Sequence, residues 1–212
     1  MPLSAPGRMW QWLQRRDPRA ALAPRHCESL MLGWLRQRSL TASIGRKLYD
    51  SIVAQSRAEI FYRELGVPDT AEGRFELIVL HLHLVLERLR REGTAGVRLS
   101  RALIEAFVTD MDDSMREFGI GDMGVPRRVK RAAAAVYERS AAYAAAQQAQ
   151  AGANALAQAL LEHIYFANCS DSRLPERLAA YVRNAGGALE RVDSSRILDG
   201  DLPFSQTIEF RP

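Results

Sequence analysis

Four acidic residues close together in the sequence are its best candidates for chemistry: Asp110, Asp112, Asp113 and Glu117. If this segment is helical, Asp113 and Glu117 share one face, and Asp110 precedes Asp113 by nearly one turn. Aspartate-rich helix faces hold magnesium in helical enzymes that ionise isoprenoid diphosphates. Such a site needs a second acidic helix opposite the first, and no other segment carries a comparable cluster. We therefore interpret the cluster as a solvated or ion-paired helix face, with a magnesium-dependent enzyme as the alternative.

The histidines and cysteines do not have the spacing of a metal site. His81 and His83 are two residues apart on a predicted helix, so their side chains project about 200° from one another and cannot bind one ion together. We expect one of them to be hydrogen-bonded in or near the core and the other to lie at its edge. Cys27 and Cys169 have no CxxC partner, and we interpret them as ordinary thiols. The sequence predicts no catalytic residue, metal ligand or cofactor.

A basic cluster follows the acidic one. Arg127, Arg128, Lys130 and Arg131 begin a predicted helix after a glycine-rich loop that contains Asp122. The helix dipole disfavours positive charge at this end, so the cluster suggests an anionic partner. That partner is either the acidic cluster or an external phosphate of RNA or lipid, and we favour internal or mixed pairing. A ribosome- or RNA-binding adaptor is therefore a second alternative function.

The amino-terminal segment carries the excess positive charge. Residues 1–46 contain eight arginines and two acids, whereas the rest of the chain contains 21 basic and 23 acidic residues. The rest is therefore close to neutral, which argues against a dedicated DNA-binding protein. Within the basic segment, Trp10, Trp12, Arg15 and Arg16 are candidates for contact with an anionic membrane surface.

The elements that position these residues are predicted to be helices, because apolar residues recur at spacings of three and four. Gly66 and Pro68 end the first helix, and Asp69 or Thr70 caps the second, whose wide apolar face places it at the centre of a bundle. The predicted helices span about residues 41–65, 70–92, 100–118, two between 127 and 168, and 172–187.

The predicted fold class is all-α. The 212 residues, 47% of them hydrophobic, suffice for one domain with its own core, and no run of alternating β-branched residues predicts a sheet. We predict a single-domain helical bundle of about six helices over residues 40–190. A basic, partly disordered amino-terminal arm precedes it at 1–39, and an extended, irregular tail follows at 191–212.

Three segments of the sequence are distinctive. They are LYDSIVAQSR at 48–57, FYRELGVPDTAEGRFELIVLHLHLVLERL at 61–89, and DMDDSMREFGIGDMGVPRRVKRAAAAVYERSAAY at 110–143. Together they resemble the ubiquinol–cytochrome c chaperone family, over about residues 44–145. The chain departs from the family pattern at Glu138, where a small residue is expected, and at Phe118 and Ile120 in the glycine-rich loop.

The resemblance implies a non-enzymatic helical protein that assists assembly of the ubiquinol–cytochrome c reductase complex, respiratory complex III. It implies recognition of newly made cytochrome b at a membrane surface, with the ribosome and a small partner subunit as further partners. A bacterial member would lie in the cytoplasm, peripheral to the inner membrane, and a eukaryotic member in mitochondria. We expect the hairpin from Asp110 to Arg131, with its acidic and basic clusters, to be the partner-binding surface.

Overall fold

A computed structural model describes the backbone of residues 25–117, 125–148, 154–169 and 171–204, with most of their side chains. It divides the chain into two compact units, residues 1–40 and 41–212. In the first unit, the described residues are helical, and the side chains from Arg36 to Leu40 are exposed.

The regular structure within the described ranges is entirely helical. In chain order the helices are α1 (Arg25–Ser56), α2 (Glu59–Arg63), α3 (Ala71–Leu89), α4 (Gly93–Glu117), α5 (Val125–Ala146), α6 (Ala155–His163), α7 (Arg173–Glu190) and α8 (Ser194–Leu198). Six of these have nine residues or more, and a single 3₁₀ turn joins α3 to α4. The prediction of an all-α bundle of about six helices is confirmed. No helix in these ranges has the length and apolar character needed to cross a membrane.

Helix α3 is the central element of the second unit, as its wide apolar face predicts. Helices α4, α5 and α7 all contact it. Leu77, Leu80, Leu82 and Val85 are fully buried although they point in different directions around the helix axis. Burial on several sides explains why the middle of this segment is almost uninterruptedly apolar, because little of the helix surface there is left to water.

Local signals place the beginning of α3 correctly. Gly66 has a φ of 63°, the left-handed conformation that glycine adopts without strain, and it follows α2 closely. The Thr70 side chain then accepts a hydrogen bond from the backbone N–H of Gly73 at 3.1 Å. This is the N-cap interaction predicted from the sequence, and it satisfies one of the first N–H groups of α3.

The single helix predicted over residues 41–65 is wrong. Helix α1 ends at Ser56, Ala58 is extended with a ψ of 130°, and the short helix α2 follows. The Tyr62 hydroxyl donates to the backbone carbonyl of Ser56 at 2.8 Å, which satisfies a carbonyl at the end of α1. No glycine or proline marks this break, and a side-chain contact between the two helices stabilises it.

Two other helix ends near glycines differ from the predicted spans. Helix α4 begins at Gly93, earlier than the predicted start at about residue 100, and Gly96 lies inside it. A Cβ on Gly96 would come within 1.9 Å of the Leu89 carbonyl oxygen, so this glycine permits a close approach rather than ending a helix. Helix α7 likewise continues through Gly186 and Gly187 to Glu190.

The tail folds back onto the second unit. Its short helix α8 buries Ile197, and Phe204 is buried beyond it, although the other described tail residues have no regular structure. The Lys47 ammonium group donates to the Asp199 carbonyl at 3.1 Å and to the Asp201 carboxylate at 2.8 Å. The tail is therefore attached to α1 by a side chain more than 150 residues earlier in the sequence.

Candidate functional site

A polar network surrounds His81 at the centre of the second unit. His81 is fully buried, and its ring lies in edge contact with the rings of Phe61 and Phe204. Its Nε2 atom lies 2.8 Å from the Tyr181 hydroxyl oxygen, which also accepts a hydrogen bond from the Gln55 amide at 3.1 Å. A buried titratable side chain can serve either catalysis or the stability of the fold, and its hydrogen bonds distinguish the two roles.

The hydrogen bonds determine the tautomer of His81. Its Nδ1 atom lies 2.7 Å from the Leu77 carbonyl oxygen, which can only accept, so Nδ1 carries the proton. The Tyr181 hydroxyl therefore donates to Nε2. Both ring nitrogens are satisfied while the ring is neutral, and burial lowers the pKa of His81 to about 4. The network fits a neutral structural histidine that has no access to solvent.

His83 is also buried, which corrects the expectation that one histidine lies at the edge of the core. Its Nε2 atom accepts a hydrogen bond from the Gln147 side-chain amide of α5 at 3.2 Å. Its Nδ1 atom is buried without a hydrogen-bond partner in the described part of the chain, as are the hydroxyls of Tyr143 and Ser140 on α5. The α3–α5 interface therefore buries polar atoms that are less well satisfied than those around His81.

Tyr181, beside His81, and Tyr143, in the α3–α5 interface, are expected to differ in their contributions to stability. Tyr181→Phe removes the donor to His81 and the acceptor for Gln55, and we expect it to destabilise the protein by about 2 kcal/mol. Tyr143→Phe removes a buried hydroxyl without a partner among the described residues, so we expect it to be neutral or stabilising by about 1 kcal/mol. Urea denaturation of both variants measures the difference, and equal losses would contradict this account of the network.

The acidic cluster on α4 is partly engaged by neighbouring side chains. The Tyr49 hydroxyl donates to the Asp110 carboxylate at 2.8 Å, and burial of Tyr49 together with this bond raises the pKa of its phenol. Asp112 forms an ion pair with Arg116 one turn later at 2.8 Å. Asp113 is exposed. One of the clustered carboxylates is thus ion-paired on the helix face, and another is hydrogen-bonded to a buried tyrosine of α1.

The described residues of the acidic cluster do not form a magnesium site. Among the side chains that it describes, no three histidine, cysteine, aspartate or glutamate side chains converge as ligands of one ion. The second acidic helix that a diphosphate site needs is therefore not found in the described ranges.

The basic cluster is described only in part. Lys130 and Arg131 are exposed on α5. The other candidate residues lie outside the described residues or side chains: Glu117, Asp122, Arg127, Arg128, Trp10, Trp12, Arg15 and Arg16.

An apolar groove lies beside the exposed face of α5, and the sequence analysis did not identify it. It has a volume of about 440 Å³, and Leu86 of α3, Val97 and Ile104 of α4, and Tyr137 of α5 line it. One signal could have revealed it. Val136 and Tyr137 are adjacent on a helix, so only one of them can face the core, and the buried residue is Val136.

A comparison with known sequences relates this arrangement to a family. A sequence model of the ubiquinol-cytochrome C chaperone family matches residues 63–204, from the end of α2 to beyond α8. The chain belongs to this family. The resemblance to this family is confirmed. The match begins after the segment at 48–57, and it extends beyond the other two segments to include α6, α7 and the tail as far as residue 204. The expected function of an assembly chaperone for ubiquinol–cytochrome c reductase is confirmed at the level of the family.

Relatives of this chaperone include proteins named ubiquinol-cytochrome-c reductase complex assembly factor 1. The protein from Xenopus laevis is 24% identical over 77% of this chain and 81% of its own length. The protein from Homo sapiens is 24% identical over 78% of this chain but only 55% of its own length. The chain therefore spans little more than half of the human relative.

A solved structure supports the fold of the chaperone. It is the crystal structure of the Cbp3 homolog from Brucella abortus, which is 36% identical and superimposes with a TM-score of 0.68. The similarity covers 81% of this chain and 94% of the other. Most of this helical chain thus has the fold of a known structure.

Proposed function

We propose that this chain is a non-enzymatic assembly chaperone for ubiquinol–cytochrome c reductase that holds newly made cytochrome b at a membrane surface. The observation that carries the proposal is the family match over residues 63–204, together with relatives named as assembly factors of that complex. A chaperone of this kind binds another polypeptide and makes or breaks no bond. Its polar residues then serve the fold or the docking of a partner.

The contacts of His81 and of the acidic cluster support a role without catalysis. His81 is sealed from solvent by aromatic rings, so it cannot exchange a proton with a substrate. Asp110 and Asp112 are engaged by Tyr49 and Arg116. His81, Asp110 and Asp112 are thus bound to other side chains of the protein, which agrees with a structural role for them.

We also propose partners and a location that suit this role. The ribosome and a small partner subunit would deliver or share the client, and the basic amino-terminal segment would contact an anionic membrane. In a bacterial cell the protein would act in the cytoplasm at the inner membrane, and in a eukaryote it would act in mitochondria. Exposed charges from the hairpin, among them Asp113, Lys130 and Arg131, are available for docking.

Deletion of the gene in the native host tests the function. We expect membranes of the deletion strain to lose the haem absorbance of cytochrome b while other cytochromes are retained. The reason is that cytochrome b that is not assembled is expected to be degraded. Difference spectra of isolated membranes measure this, and the wild-type gene should restore the signal.

A normal cytochrome b spectrum in the deletion strain would contradict the proposed function. A complementing gene with Asp112→Ala and Asp113→Ala then tests the hairpin separately. If this double variant restores full assembly, Asp112 and Asp113 are not part of the docking surface. That result would leave the proposed function unchanged.

A further inference from the structure

The apolar groove between α3, α4 and α5 is lined by side chains that remain in contact with water. Val97 is 53% exposed and Tyr137 is 65% exposed. They are two of the four large hydrophobic residues exposed in the described part of the chain, and both line this groove. Leu86 and Ile104 form its partly buried floor. Exposed apolar residues that are gathered in one concave place mark a binding surface, whereas scattered ones do not.

The kind of side chain at the rim also suits polypeptide binding. Tyrosine provides a large, rigid contact area with a polar end, and it is enriched among the residues that dominate protein interfaces. The groove volume of about 440 Å³ accommodates a few apolar side chains, which fits one face of a short segment. A groove of this volume accommodates part of a chain and not a folded domain, so the fit is to a segment.

The charges at the rim define the chemistry of that segment. Arg90 and Arg101 lie at the rim with one acid, Glu105. Arg90 is already paired with Glu87 at 2.8 Å. Arg101 is exposed, and the ion pairs found among the described residues do not include it. A guanidinium group beside an apolar groove favours a ligand that carries a carboxylate next to its apolar residues.

We propose that this groove binds an apolar segment of the client polypeptide, cytochrome b, with an acidic residue of that segment placed at Arg101. The inference rests on the proposed function and deepens it, because it assigns client recognition to Val97, Tyr137 and Arg101. Burial of the apolar side chains supplies affinity, and the charge at Arg101 sets the register of the bound segment. This surface is separate from the clusters of the hairpin, which remain available to other partners.

Substitution of the two exposed apolar residues tests the groove. We expect Val97→Asp with Tyr137→Asp to lower the cytochrome b haem signal about tenfold when expressed in the deletion strain. Phe166→Asp is the matched control, because Phe166 is also a large exposed apolar residue and its φ of 53° is tolerated by aspartate. Circular dichroism of the purified variants verifies that both are folded. Normal assembly with the folded double variant would overturn the groove assignment, while the deletion result would leave the proposed function intact.

A photocrosslinker identifies the occupant directly. With p-benzoylphenylalanine at position 137 we expect a product with newly made cytochrome b in cells, and with the same group at position 166 we expect none. A product only with lipid or with a different protein would overturn the assignment of the client. Because this readout does not depend on assembly, it distinguishes a wrong groove from a wrong function.

The charge at Arg101 is tested with synthetic peptides that tile the cytochrome b of the same host. We expect Arg101→Glu to weaken binding of the best apolar, acid-containing peptide about tenfold by fluorescence anisotropy. Arg98→Glu is the matched control, since Arg98 is exposed on the same helix outside the groove, and we expect a change within about twofold. Equal effects of the two reversals would overturn the role of Arg101.

Discussion

Acidification from about pH 7 to about pH 4.5 is expected to destabilise the folded protein by about 5 kcal/mol through two histidines. Burial lowers the pKa of both His81 and His83 to about 4, from 6.5 in the unfolded chain. Below pH 6.5 the unfolded state therefore binds protons that the folded state does not, so stability falls as the pH falls, until about pH 4. A shift of this size corresponds to about 3 kcal/mol for each histidine when fully expressed.

Another buried group acts in the opposite direction. Burial raises the pKa of Glu76 above its usual value, although its ion pair with Arg139 at 3.3 Å lowers it in part. The folded state therefore binds this proton more readily than the unfolded state, which adds stability as the pH falls. Glu76 therefore offsets part of the loss that the two histidines cause, whereas the lowered pKa values of His163 and Glu92 add to that loss.

Urea denaturation at a series of pH values measures this dependence. His83→Gln should remove about half of the acid-induced loss, whatever it does to stability at neutral pH, because the slope with pH reports only the titrating groups. His163→Gln is the control, since His163 is only partly buried and should contribute less. A free energy of unfolding that does not change between neutral pH and pH 4.5 would contradict the burial of both histidines.

Arg88→Leu is expected to destabilise the protein by about 3–5 kcal/mol. The Arg88 side chain is only 6% exposed, and it donates to the carbonyls of Leu189 and Val192, both at 2.9 Å, at the end of α7. It also pairs with Glu92, which is 10% exposed, and holds the pKa of that carboxyl below its usual value. The substitution would remove the Arg88 donor from all three acceptors. The Leu189 carbonyl would keep the Val192 N–H and the Glu92 carboxylate would keep the Ser194 hydroxyl, while the Glu92 charge would lose its cationic partner.

Arg91→Leu is the matched control for Arg88. Arg91 also reaches the end of α7, where it pairs with Glu190 at 2.6 Å, but the two side chains are 62% and 51% exposed. An exposed pair of this kind contributes about 0–1 kcal/mol, so the loss should be several-fold smaller. Thermal and urea denaturation of the two variants measure the contrast. If the two substitutions lower the free energy of unfolding equally, burial of Arg88 does not increase its contribution to stability.

The sequence predicted the features of the fold that depend on neighbouring residues. Helical periodicity, the helix stop at Gly66 and the cap at Thr70 act over three or four residues, and the structure has a left-handed Gly66 soon after α2 and the Thr70 cap on α3. The central position of α3 could also be predicted, because a helix that is apolar on several sides must be covered on several sides. The family could be predicted because its motifs lie within these local segments.

The sequence could not predict features that depend on distant partners. The break after Ser56 is satisfied by Tyr62, and the end of α7 is set by Arg88, which lies about 100 residues earlier. An arginine is expected to be exposed, and only the carbonyls of α7 explain its burial. The expectation that one histidine lies at the edge of the core is wrong because the cover of His83, Gln147, belongs to another helix.

The side chains around His81 imply an order of events during biosynthesis. Two of these side chains, Tyr181 and Phe204, follow His81 by at least 100 positions in the sequence. A nascent chain that has emerged only as far as α5 holds an imidazole that lacks both its hydroxyl donor and one of its covering rings. Native closure of this site thus belongs to the late stages of translation. Until then, an unfinished molecule would itself be a substrate for proteases and holding factors.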